Sequence, residues 1–239
     1  MFGEIGMSRI ELEKELKSHE NPEKKKVLQR FFKTGKGQYG EGDVFLGITV
    51  PQQRAICKKY DLDFEDIERL LHSEIHEFRL CALLILARKF EKADKKGRGR
   101  IVKFYLENAK RINNWDLVDL SSHEILGEYL VDKKDRKILY KLAKSQNLWK
   151  KRIAIVSTYA LIRRGEVKDT LMLAELLMND KHDLLHKAVG WMLREAGKRN
   201  LGALEEFLEK WAHKMPRTML RYSIEKFDGK TRKKYMGKN

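Results

Sequence analysis

The sequence predicts an all-α protein, a curved α-solenoid with a basic concave face, and three observations point there. Apolar residues recur at three- and four-residue spacing, while strict two-residue alternation is almost absent. Each of the three prolines, Pro22, Pro51 and Pro216, lies where a helix can begin. Helix–turn–helix pairs also recur at a period of about 35 residues, the spacing of stacked helical repeats.

Taken in order, Ser8–His19 is a first helix with Ile10, Leu12 and Leu16 on one side. Asn21-Pro22 opens a second helix that runs through Phe32. The glycine-rich stretch KTGKGQYGEGDVFLGITVP follows. Its spacing fits neither a Walker A loop nor a dinucleotide fingerprint, and no strand precedes it. It reads as a loop whose exposed aromatic, Tyr39, is available to a ligand or a backbone phosphate. Thr49 and Gln52 form a capping box with Pro51 in the first turn, starting a helix to Tyr60. Asp63–Leu71 is a short helix. Ser73 caps a longer one, Glu74–Phe90, with Leu80, Leu83, Leu84 and Leu86 inside.

From here the repeat dominates. Longer helices begin near Phe78, Trp115, Trp149, His186 and Pro216, with shorter apolar ones between them at Arg100–Ala109, Arg136–Ser145, Thr170–Met178 and Leu201–Met215. One of the longer helices is the amphipathic stretch Asn113–Leu130. The links Glu91–Gly99, Val131–Asp135 and Gly165–Lys168 are short and charged, and none reads as an interdomain linker. A single repeat cannot bury its apolar face alone, so residues 1–239 are expected to form one continuous domain. Within it, 1–20 is an N-terminal helix and 229–239 a basic tail.

The charge balance narrows the function. Lys and Arg number 51 against 35 Asp and Glu, a formal net charge of +16 spread along the chain. Such an excess points to a polyanion, nucleic acid before an anionic membrane surface, and disfavours a protein-binding scaffold. No apolar run is long enough to span a bilayer, and the N-terminal stretch lacks the pattern of a signal peptide. Cys57 and Cys81 sit in apolar helical contexts as buried free thiols, which fits a cytoplasmic protein. The pairs His72/His76 and His182/His186 are spaced for a metal but lack a third ligand, and read as surface or capping histidines. Trp149 and Trp211 read as packing residues.

In a solenoid the second helix of each repeat lines the concave face. Polar residues near the starts of those helices are Arg79, then Trp115 and Asp119, Lys151 and Arg152, Lys187, Trp191 and Arg194, and Arg217 and Arg221. Trp115 and Asp119, four apart, share one helix face. The cations, with Tyr39, suit a duplex backbone, which they would position without reading its sequence. A carboxylate in such a groove costs phosphate binding. Either Asp119 pairs with Arg152 as a structural contact, or a cation develops beside it during a reaction.

The segments FLGITVPQQR (Phe45–Arg54), WDLVD (Trp115–Asp119), WKKRIAI (Trp149–Ile155), KAVGWMLRE (Lys187–Glu195) and RTMLRYSIEKF (Arg217–Phe227) carry a resemblance. In this order they resemble the AlkD-like DNA alkylation repair proteins, HEAT-like-repeat DNA glycosylases, from about Asn21 to the C-terminus. The resemblance implies removal of cationic alkylated purines, such as N3-methyladenine and N7-methylguanine, from double-stranded DNA. It implies Asp119 as the catalytic aspartate, Trp115 and Trp191 as the site tryptophans and Arg152 as the site arginine. It further implies a monomer, no cofactor, and a lesion that stays stacked rather than extruded. Members often have a second aromatic just before the first tryptophan; here that position is Asn114. Some relatives lack activity, so a non-catalytic solenoid that binds DNA is the alternative.

Overall fold

The helices start where polar caps stand. In the computed structural model, which describes residues 8–237, Ser8 and Glu11 form a capping box at α1 (Arg9–Ser18), and the Asn21 side chain accepts from Lys24 N–H at α2 (Pro22–Phe31). Gln52 accepts from the Thr49 amide at α3 (Val50–Cys57), and Asp63 caps α4 (Phe64–Leu71). The expectations about the first seven residues lie outside the described ones. Among the described residues there is no strand, only an isolated parallel bridge between Val44 and Ile75. No helix among them is long and apolar enough to cross a membrane.

Packing divides the chain into two compact units, the first ending at Ser121 and the second beginning at Ser122. In the first, α5 (His76–Lys92) is the hub, packing against α1, α3, α4, α6 (Lys95–Glu107) and α7 (Trp115–Asp119). Leu80, Leu83, Ile85 and Leu86 are buried with Leu12, Leu16, Ile67 and Leu70; Leu84, expected inside, is half-buried, and Ile10, on the apolar side of α1, is exposed. Cys57 and Cys81 are buried free thiols.

Two boundaries differ from expectation for a physical reason. Helix α5 begins at His76 rather than Glu74, because the bridge holds Ile75 extended: Val44 N–H donates to the Glu74 carbonyl (3.0 Å) and His76 N–H to the Val44 carbonyl (2.8 Å). Ser73 instead accepts from Ile75 N–H. Helix α6 begins at Lys95 rather than Arg100, so the end of the charged link Glu91–Gly99 is helical, because Asp94 caps it, accepting from Gly97 N–H at 2.7 Å.

In the second unit a π-helical turn, His123–Gly127, runs into α8 (Glu128–Leu130). Then come α9 (Lys137–Ala143), α10 (Leu148–Arg163), α11 (Lys168–Leu177), α12 (Asp183–Arg199), α13 (Leu201–Trp211), α14 (Arg217–Ser223) and α15 (Gly229–Met236). Helix α10 packs on α9, α11 and α12, and α12 packs in turn on α13 and α14. These contacts are backbone-close. A Cβ on Gly190 would meet the Met219 carbonyl oxygen at 2.5 Å, and one on Gly127 the Ser157 carbonyl oxygen at 2.4 Å. Gly165, at φ 83°, ends the chain's run after α10 in a left-handed turn. The described part of the expected basic tail is a helix rather than a frayed end: Asp228 caps α15, and Tyr235 is buried with its hydroxyl on Glu209.

Candidate functional site

The expected helix Asn113–Leu130 is three pieces. Asn114 caps the first by accepting from Trp115 N–H at 2.8 Å, so α7 starts at Trp115 and not at Asn113. It ends after five residues. Ser121 donates to the Leu117 carbonyl at 2.6 Å, and its oxygen also meets the buried Tyr105 hydroxyl at 3.0 Å. A serine bonding back one turn competes with helix continuation. Five residues are far below what stands alone in water, so α7 is held by tertiary contacts. Leu117 and Val118 sink into the core, while Trp115 and Asp119 stay half-buried, one turn apart.

What holds α7 is a buried set of charges. His76 is 1% exposed. Its Nδ1 lies 3.1 Å from Asp43 and its Nε2 2.8 Å from Asp116, the second residue of α7. The other oxygen of Asp116 accepts from Leu117 N–H. Asp43 also accepts from Arg79 at 2.7 Å and from the fully buried Asn114 side chain at 3.0 Å. Burial pushes the His76 imidazole toward the neutral form, but the Asp116 charge and the hydrogen bonds to Asp116 and Asp43 outweigh it, raising its pKa to about 9. Burial likewise works against the Asp43 carboxylate, and the His76 and Arg79 contacts overcome this, holding it below the ordinary range. Two carboxylates and two cations therefore share the interior. Beside them Glu77 accepts from the amides of Leu46, Gly47 and Ile48, and so ties the 45–48 segment to α5.

Trp115 also has aromatic neighbours. The Phe32 ring stacks on it at 5.0 Å and 5°, and the exposed Phe31 meets it edge-on at 5.8 Å. Phe32 contacts the His76 ring in turn at 5.1 Å. In this chain the C-terminal end of α2 supplies the aromatic partners of Trp115, while Asn114 caps α7 through its side-chain oxygen and donates its amide NH2 to Asp43.

The remaining expected site residues fall as follows. Arg79 is corrected: it is 5% exposed, bound to Asp43 and to the Ser73 carbonyl, and is an interior cation rather than a phosphate contact. Tyr39 is half-buried rather than exposed, and its hydroxyl donates to the Phe31 carbonyl at 3.4 Å. In the second unit Arg152 is buried on α10 and donates to the Leu184 carbonyl. Lys151 pairs with Asp180 at 2.6 Å, Lys187 with Asp183 at 2.8 Å, and Arg194 with Glu195 and Glu225. Arg221 is exposed and has no acidic partner among the described residues. Trp191 is half-buried, its ring 6.0 Å from Tyr159, which has Arg163 over its face and His123 at its edge.

Nothing in the sequence marks Phe31, Phe32, Asp43 and His76 as site residues. No spacing signal links Asp43, His76 and Asp116, because each comes from a different segment. His76 is buried, contrary to its reading as a surface or capping residue; His72 and His182 do stand at helix ends, at the C-cap of α4 and the N-cap of α12. Trp149 is buried and Trp211 half-buried under Lys210 and Lys214. No group of three His, Cys, Asp or Glu suited to a metal occurs among the described residues.

A family model described as DNA alkylation repair enzyme matches residues 12–227. No curated protein matches the chain. Among solved structures, one described as "Predicted DNA alkylation repair enzyme from Enterococcus faecalis" superposes with a TM-score of 0.68 at 16% identity. That alignment covers 88% of this chain and 97% of the other, and it is a likeness of fold.

Proposed function

This chain belongs to the DNA alkylation repair enzyme family, and from that premise we propose that it is a monofunctional glycosylase for positively charged alkylated purines in duplex DNA. The observation that carries the proposal is α7. It offers a half-buried indole and a half-buried carboxylate one turn apart, on a short helix whose remaining side chains serve the core.

The chemistry suits a lone carboxylate. The bond from the sugar C1′ to the purine nitrogen breaks, and its electron pair neutralises the purine cation. The sugar becomes oxocarbenium-like, water adds at C1′, and the water's proton leaves. The cationic base is already a good leaving group, so no general acid is required. A carboxylate about 4 Å from the sugar, at an effective dielectric of about 20, stabilises that cation by about 4 kcal/mol, on the order of a thousandfold in rate. The effect accelerates the reaction because the charge is larger in the transition state than in the ground state. In this reading Asp119 is that carboxylate and positions the water. Trp115 and Trp191 pack against the cationic nucleotide, each worth roughly 0.5–2 kcal/mol. Arg152, buried against the Leu184 carbonyl before DNA binds, turns from it to hold a phosphate beside the lesion.

The reading includes one continuous, curved solenoid of HEAT-like repeats with a basic concave face, acting as a cytoplasmic monomer without a cofactor. Side-by-side packing of α10, α12 and α14 supports the repeat, the buried free thiols fit a reducing compartment, and the net charge of +16 supports a polyanionic ligand. Lys151, Lys187, Arg194 and Arg221 are then the phosphate contacts, the first three exchanging their present carboxylate partners for phosphate.

Base release from methylated duplex DNA tests it. Wild type is expected to release N7-methylguanine and to leave uracil in place, because a neutral base needs a general acid. Asp119→Asn is expected to lose the release by roughly a thousandfold while keeping its affinity for duplex. An Asp119→Asn protein as fast as wild type would exclude the catalytic assignment. A wild type that binds duplex and releases no base would leave a DNA-binding protein.

A further inference from the structure

We propose that His76, which the reaction above does not use, is the positioning residue of this site: bonded between Asp43 and Asp116, it fixes the start of α7 and thereby where Trp115 and Asp119 stand. This inference rests on the glycosylase reading for its consequence and on the geometry of the first unit for its cause.

Helix α7 has five residues and no capacity to hold itself. Asp116 sits between Trp115 and the core-facing Leu117, so whatever fixes Asp116 fixes the indole before it and the carboxylate one turn later. His76 meets Asp116 on one nitrogen and Asp43 on the other. With Asp43 and Asp116 ionised, both nitrogens donate only when each carries a hydrogen, and the raised pKa favours that imidazolium, against the Arg79 guanidinium 3.4 Å from Nδ1. A neutral ring has one N–H, and one of the two contacts would then set lone pair against lone pair. The position of His76 is set by main chain, because the Val44–Ile75 bridge places Asp43 and His76 directly beside its two partners. A second route runs through Phe32, whose ring touches both His76 and Trp115.

The charged groups facing His76 come from each packed segment. Asp43 comes from the connection after α2, Asp116 from α7, and Arg79 from its own helix. Glu77, next in sequence, is turned to the amides of Leu46, Gly47 and Ile48. Phe32 and Phe45 supply rings. With both cations charged, the cluster is balanced at two positive and two negative. Loss of the His76 proton leaves it one negative charge in excess.

The sign follows. The imidazole pKa is raised from 6.5 to about 9, so its contribution is complete below about pH 6.5 and is lost as the pH passes about 9. Trp115 should register that loss.

The test combines single-turnover base release, affinity for undamaged duplex, and the indole N–H resonance of Trp115, assigned with Trp115→Phe. In wild type the Trp115 resonance is expected to shift with a midpoint near pH 9, and base release to fall over the same range. His76→Gln, neutral and with a single amide donor group, is expected to slow base release roughly ten- to hundredfold with duplex affinity kept within about twofold, and to lack the pH 9 midpoint. A purely structural role would lower rate and affinity together, in proportion to the folded fraction, with no midpoint at Trp115. A Trp115 resonance that stays fixed through about pH 7 to 10, or a folded His76→Gln with wild-type release, would overturn the inference. Should His76→Gln not fold, the wild-type titration decides alone. Should wild type release no base, the glycosylase reading fails while the Trp115 titration still decides whether His76 positions α7.

Discussion

In the first unit the decisive charges are inside; in the second nearly all of them are at the surface. Asp43, His76, Glu77, Arg79 and Asp116 are all buried before Ser121. After it, the buried polar groups among the described residues are mostly hydroxyls, Ser122, Ser157, Thr158, Thr170 and Ser223, with Arg152 and Glu195 as the buried charges. The helices explain the difference. Helix α10 has sixteen residues and α12 seventeen, with broad apolar faces and glycine at a closest approach, so packing alone fixes them. Helix α7 has five, too few apolar positions to fix its direction. Directional bonds to a buried ion cluster take over that task. Such a cluster adds little stability compared with apolar packing, but it does select one orientation. More exposed pairs such as Lys187–Asp183 have the opposite character: they are cheap to open when an anion arrives.

The contrast can be broken most forcefully at Asp43. Asp43→Ala leaves His76 and Arg79 facing each other in the interior, and is expected to cost about 3–5 kcal/mol in chemical denaturation. Amide exchange should rise first in α7 and at the start of α5; protection unchanged there would mean the cluster does not hold the helix.

A smaller effect sharpens the packing side. Gly190→Ala forces a methyl against the Met219 carbonyl and the Tyr222 side chain, and about 1–3 kcal/mol is expected to be lost. The loss should appear as faster exchange in α12 and α14, with the protection of α7 unaltered.

The smallest change is at the surface. Arg221→Ala should leave stability within about 0.5 kcal/mol. It should reduce the slope of log affinity for duplex against log salt by about one. An unchanged slope would remove Arg221 from the phosphate contacts.

Much of this protein was legible in advance, and the exceptions have a common form. Helical periodicity, the helix starts at Ser8, Asn21, Thr49 and Asp63, and the buried cysteines are local signals, and they held. Lys95–Gly99 reads as part of a charged link, whereas Asp94 satisfies the first turn of a helix there. Arg79 misled because its position in the repeat pattern is that of a groove residue, and only its neighbours at positions 43 and 73 make it interior. The Asn113–Leu130 pattern is amphipathic throughout, yet Ser121 bonds back to Leu117 and the chain breaks there.

By itself the sequence determined the helical class, most of the helix starts, the excess of positive charge and the pairing of Trp115 with Asp119 on one helical turn. These depend on residues within a few positions of one another. Tertiary structure decided which charges are interior, which rings flank Trp115, and what holds α7. Those depend on Asp43, His76 and Asp116 meeting across 33 and 40 positions of chain. The strength of such contacts depends on burial, and no periodicity in the sequence records it.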